Sequence, residues 1–203
     1  KQSDILTEKT VDFLVKRDLY DNAMNVLLAS RKALKNNSLY TYLIASLYYR
    51  QGKVELAIDE ILAHLNNFPE ELENVKNGFQ NNLSTDKDFD LLETKLYERV
   101  QQDPNDITFN ELLLWLNLQK KNFSKAFTQA KAIDKRYRSQ GAKLIEVGKI
   151  AFDNRDFESA LKFYEYVIKE FSDGVNYPIA RRELILSKEE LVKSTYPIDT
   201  LKI

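Results

Sequence analysis

The chain has 203 residues, 43% hydrophobic and 30% charged, with 30 Lys+Arg against 31 Asp+Glu and a net charge of -1. That balance removes the electrostatic case for nucleic acid, which asks for a basic excess. The absence of Cys excludes disulfides, thiolate metal sites and a Cys nucleophile, and no run of 18 apolar residues is available for a transmembrane helix.

Ala23, Ala57, Leu92, Ala126 and Ala160 stand 34, 35, 34 and 34 residues apart, each with Tyr20, Val54, Phe89, Phe123 or Phe157 three places before it. A sustained internal period of this length dictates a helical-repeat fold before any local signal is weighed. Phased on these residues, the chain divides into repeats 4–37, 38–72, 73–106, 107–140 and 141–174, with a partial sixth at 175–203. The expectation is one domain over 1–203, each repeat holding a helix A and a helix B joined by a short turn.

In repeat two, LYTYLIASLYYR is helix A, Gln51-Gly52-Lys53 the turn and VELAIDEILAHLNNF helix B. Gly52 suits a left-handed C-cap, and Pro69 suits the first turn of the next helix, with Glu70 and Glu71 at its positive end. Repeat three departs from the pattern. Its helix A carries Asn74, Asn77, Gly78, Asn81 and Asn82, poor helix formers, while Leu72, Val75, Phe79 and Leu83 keep helical spacing. Ser84 to Asp88 reads as a loop with room for a bend, and Leu92 fills the small-residue position. This repeat is predicted to be the weakest.

In repeat four, ELLLWLNLQ is apolar nearly all round, so Leu112, Trp115 and Leu118 either meet a partner or are covered by the chain. In repeat five, Leu144, Val147, Ile150 and Ala151 mark helix A, Asp156 is an N-cap, and Phe157, Ala160, Leu161, Tyr164, Val167, Ile168 and Phe171 form the wide face of helix B. Ser172-Asp173-Gly174 ends it. NYPIARRELILSKEELVKSTYP then gives a C-terminal helix broken at Tyr196-Pro197, either a seat for a further repeat or a polar-faced cap.

These residues carry a family resemblance. Leu144, Val147, Gly148, Ala160 and Tyr164 of repeat five, and Ala45, Tyr48, Ala57 and Pro69 of repeat two, match the consensus of the tetratricopeptide repeat family, and the chain resembles a bacterial-type member. Repeats one, three and four fit less well, with Val11, Gln80 and Leu114 where Gly or Ala is usual. The resemblance implies an all-α, right-handed superhelical solenoid of about five repeats plus a C-terminal helix. It also implies a non-enzymatic scaffold that binds a protein or peptide on the concave face lined by the A helices.

Carried over position by position, the ligand-facing set is mixed and charged in repeat one, with Glu8, Asp12 and Val15. Elsewhere it contains Tyr42, Tyr49 and Arg50 in repeat two, Asn77 and Asn81 in repeat three, Leu112, Trp115 and Gln119 in repeat four, and Lys149 and Phe152 in repeat five. Trp is the residue most typical of binding hot spots, and the Asn amides offer donor and acceptor to an extended backbone. The family's carboxylate clamp is not reproduced, because Glu8 and Asp12 stand where Lys and Asn are expected.

Catalysis finds little material. His64 is the only His, on a packing position of helix B, and no Cys accompanies it. No GxGxxG or GxxxxGK[ST] run is present. No cofactor or metal is expected, and the oligomeric state is unread. Two other functions remain open: the recruiting or regulatory segment of a larger enzyme, and an envelope protein stacking glycans on groove aromatics such as Tyr42 and Tyr49. The chain starts at Lys1 without Met, shows no signal peptide and ends soon after Pro197, so it reads as a processed or truncated piece of a longer protein. The bacterial periplasm or cell envelope is favoured over the cytoplasm.

Overall fold

The computed structural model describes residues 2–194, and side chains from Ile5 onward. Among the described residues there are eleven α-helices, and no strands. They are α1 Gln2–Val15, α2 Tyr20–Leu34, α3 Thr41–Arg50, α4 Val54–Asn67, α5 Leu72–Asn82, α6 Asp86–Gln102, α7 Ile107–Gln119, α8 Phe123–Tyr137, α9 Ala142–Asp153, α10 Phe157–Glu170 and α11 Tyr177–Ser194. This is the all-α succession of five helix pairs and a C-terminal helix that the period predicts. The expected break at Tyr196-Pro197 lies outside the described residues. The chain forms two compact units that part between Lys95 and Leu96, inside α6.

In the N-terminal unit, α1 packs on α2 and α3 on α4. Ala23 and Ala57 are fully buried, as close helix approach requires. One core gathers Val11, Ala23, Met24, Leu27, Ile44 and Leu47. Arg31 stitches the two pairs. Buried near the end of α2, it donates from Nε to the Leu39 carbonyl (2.6 Å), from Nη2 to Thr41 Oγ1 (3.2 Å), and through both Nη atoms to the Glu60 carboxylate on α4.

In the C-terminal unit, α7 packs on α8, α8 on α9, α9 on α10 and α10 on α11. Ala126, Ala130, Ala151 and Ala160 lie in one core with Leu144, Val147, Phe163, Tyr164 and Val167. Gly148 shows why α9 carries a glycine at its crossing with α10. A Cβ there would stand 2.8 Å from Tyr164 Cε1 and 2.9 Å from Phe163 Cβ.

Side-chain caps mark the starts of α7, α8 and α10. Asp156 accepts from Ser159 N–H (3.0 Å), as expected, and Asp106 accepts from Thr108 and Phe109 N–H. Gly52 takes φ 70°, the left-handed turn proposed for it. Two local expectations change. Pro69 opens a separate 3-10 turn, Pro69–Glu71, ahead of α5 instead of the helix itself. The Ser84–Asp88 loop is shorter than expected, because Thr85 and Asp88 form a reciprocal cap. Asp88 accepts from Thr85 N–H (3.0 Å) and Ser84 N–H (3.2 Å), while Thr85 Oγ1 accepts from Asp88 N–H (3.2 Å), so α6 begins at Asp86.

Candidate functional site

Along α1 and α3, side chains four apart fall on one face of each helix. Glu8, Val11, Asp12 and Val15 of α1 face Leu43, Ser46, Leu47 and Arg50 of α3 across an open groove of about 530 Å³. The buried Val11 and Leu47 make its floor, and Leu43 is 38% exposed on its wall. The chemistry is polarised. Glu8 and Asp12 line the α1 side and Arg50 stands at the end of α3. Asp12 accepts from Lys16 Nζ at 2.6 Å, but both side chains are mostly exposed, so the pair is worth little and a partner cation can replace it. Near Arg50, the Tyr20 hydroxyl donates to Asp18 (2.6 Å). That hydrogen bond holds the Tyr20 pKa above its ordinary value, with Arg50 pulling the other way.

Of the residues expected to face a ligand, Glu8, Asp12, Val15 and Arg50 line this groove, but Tyr42 and Tyr49 do not. Tyr42 donates to Glu71 Oε2 at 2.6 Å and meets the His64 ring edge-on at 5.4 Å; His64 lies 4.7 Å from Phe68. His64 is buried in the last turn of α4, its Nε2 3.3 Å from Glu71 Oε2 but not aligned for a hydrogen bond. The Tyr42 hydrogen bond holds the Glu71 carboxyl below its usual range, and burial raises the Tyr42 phenol well above its own. Tyr49 is half-buried with its hydroxyl enclosed and unpartnered, and burial raises its pKa as well.

Asn77 and Asn81 are exposed on α5. Leu112 is a correction. It is fully buried, so it belongs to the core and is not open to a ligand; α7 buries Phe109, Leu112, Leu113, Leu114 and Leu116, more than one face of it. Trp115 is half-buried, and Gln119 and Lys149 are exposed. Phe152 packs edge-to-face on Phe157 at 5.3 Å. Among the described residues no three His, Cys, Asp or Glu side chains come together to hold a metal ion, and no helix is long and apolar enough to cross a membrane.

Two adjoining concavities of the C-terminal unit are lined by none of these residues. The larger, about 600 Å³, is formed by Lys131, Lys135 and Arg138 on and after α8 with Leu144, Tyr166 and Phe171; the smaller, about 370 Å³, shares Ala132, Lys135 and Arg138 with it and adds Arg136. Sequence reasoning missed them because it followed the A helices. The signal available was the basic spacing 131, 135, 138 on a B helix.

A scan against protein-family models finds no match, and a search of curated proteins finds none. Among solved structures, the chain is similar to a tetratricopeptide repeat protein from Parabacteroides merdae, with a TM-score of 0.42 and 14% identity over 97% of this chain and 82% of that one. It is also similar to a structure reported for the functional characterisation of pilF from Pseudomonas aeruginosa, with a TM-score of 0.38 and 16% identity over 100% of this chain and 96% of that one.

Proposed function

We propose that the chain is a protein-binding scaffold and that the α1/α3 groove receives a short segment of a partner protein. The observation that carries this reading is the groove itself: a partly exposed apolar wall over a buried floor, bounded by carboxylates on one side and a guanidinium on the other. The exposed apolar surface of Leu43 and the half-buried Val15 supplies affinity through burial. The charged rim fixes register and suppresses wrong partners. A segment with an aliphatic anchor and a Lys or Arg toward α1 satisfies both.

The test is selection from a displayed random-peptide library on the whole chain, repeated on Ser46→Trp. Ser46 is exposed in the groove, so Trp fills it without disturbing the core. The expected result is an apolar-plus-basic motif, lost on Ser46→Trp at an unchanged melting temperature and shifted toward acidic sequences on Glu8→Lys. Peptides that bind Ser46→Trp as well as wild type would rule the groove out.

A further inference from the structure

The concavity at the end of α8 concentrates positive charge in a chain whose overall charge is near zero. Lys131, Lys135 and Arg138 have no carboxylate partner among the described residues. The one carboxylate in the lining, Asp134, is buried and already committed. Its Oδ1 accepts from Ser139 Oγ (2.6 Å) and Lys143 N–H (3.2 Å), and its Oδ2 from Gly141 N–H (2.8 Å). It caps the start of α9 through these hydrogen bonds, and none of the rim cations pairs with it. The cations share the lining with the half-buried rings of Tyr166 and Phe171, and the Lys131 ammonium lies 4.5 Å from the Tyr166 ring centroid.

We propose that this concavity is a second binding site, taking an acidic peptide segment that carries a large apolar side chain. From Lys131 to Arg138 the helix advances about 10 Å at ~1.5 Å per residue, roughly the reach of three extended residues. An apolar side chain packs on the half-buried rings of Tyr166 and Phe171. Its flanking carboxylates reach Lys131 on one side and Lys135 with Arg138 on the other, forming charge-assisted hydrogen bonds. Arg136, in the adjoining concavity, extends the same field. The site lies in the other compact unit and on B-helix residues, so it stands independently of the α1/α3 groove and prefers the opposite charge.

The experiment is calorimetric titration of the whole chain with a blocked peptide of glutamates around one central phenylalanine. Binding is expected, weakening as salt rises, and falling about tenfold or more in the Lys135→Gln, Arg138→Gln double variant with only a small fall in melting temperature from the lost helix-end charges. Both side chains are exposed, so the variant should fold. The same peptide with serine at its centre should bind distinctly more weakly. Equal affinity for the double variant, or for the serine peptide, would overturn the site. So would capture of the chain by phosphatidylserine vesicles when the peptide does not bind, since that assigns the cations to a membrane surface.

Discussion

Arg31 shows how much one side chain can hold. Its guanidinium joins the end of α2, the Leu39 carbonyl, Thr41 at the start of α3 and Glu60 on α4. Both members of the Arg31–Glu60 pair are largely shielded from water, so removing one leaves the other as an uncompensated buried charge. Arg31→Ala is therefore expected to lower stability by about 3 kcal/mol, measured by urea unfolding followed on a probe in the N-terminal unit. Arg31→Lys should recover only part of the loss, because an ammonium cannot reproduce the planar fork. A loss under half a kcal/mol for Arg31→Ala would mean the network is a surface contact. Arg31 is one of two cations in the last turn of α2, where a positive charge also favours the helix dipole. The residue that completes its role, Glu60, is 29 positions away, and no local pattern links the two. Tyr42 depends on a distant partner in the same way: it is exposed, and its hydroxyl is held by Glu71, 29 positions on in the same repeat.

At the scale of helices, far more was legible. The 34-residue phase is legible because close crossing demands a small residue at a fixed place, met by Ala23, Ala57, Ala126 and Ala160 and departed from only at Leu92 of the third repeat. Starts of helices depend on single hydrogen bonds, so Asp156 was readable while the Thr85/Asp88 cap was hidden in what looks like a polar loop. The two glycines inside A helices separate these cases. Gly148 sits under Phe163 and Tyr164, whereas a Cβ on Gly78 would meet nothing within 4 Å. Gly78→Ala should therefore stabilise the chain by about 0.5–1 kcal/mol through helix propensity. Gly148→Ala should destabilise it by about 1–3 kcal/mol, because overpacking at the α9/α10 crossing outweighs the same propensity gain. Melting temperatures of the two variants check this. Shifts of the same sign would refute the crossing argument.

Across the whole molecule, burial is uneven, and local stability should follow it. α5 buries only Val75 and Phe79, and its Asn74, Asn77, Asn81 and Asn82 are exposed. α10 buries Phe157, Ala160, Phe163, Tyr164 and Val167 and is flanked by α9 and α11. Local opening free energy tracks buried apolar contact and intrinsic helicity, and α5 is poorer in both. Asn and Gly lower its propensity, and its exposed face adds no packing to offset that. Amide exchange read by mass spectrometry should find α5 peptides exchanging at least about tenfold faster than α10 peptides, a difference of ~1.4 kcal/mol in opening. Gly78→Ala should narrow the gap by slowing α5 while leaving α10 untouched. If both helices exchange together, the chain opens in a single cooperative step, and if α10 exchanges first the order is reversed; in either case α5 is not its weak point.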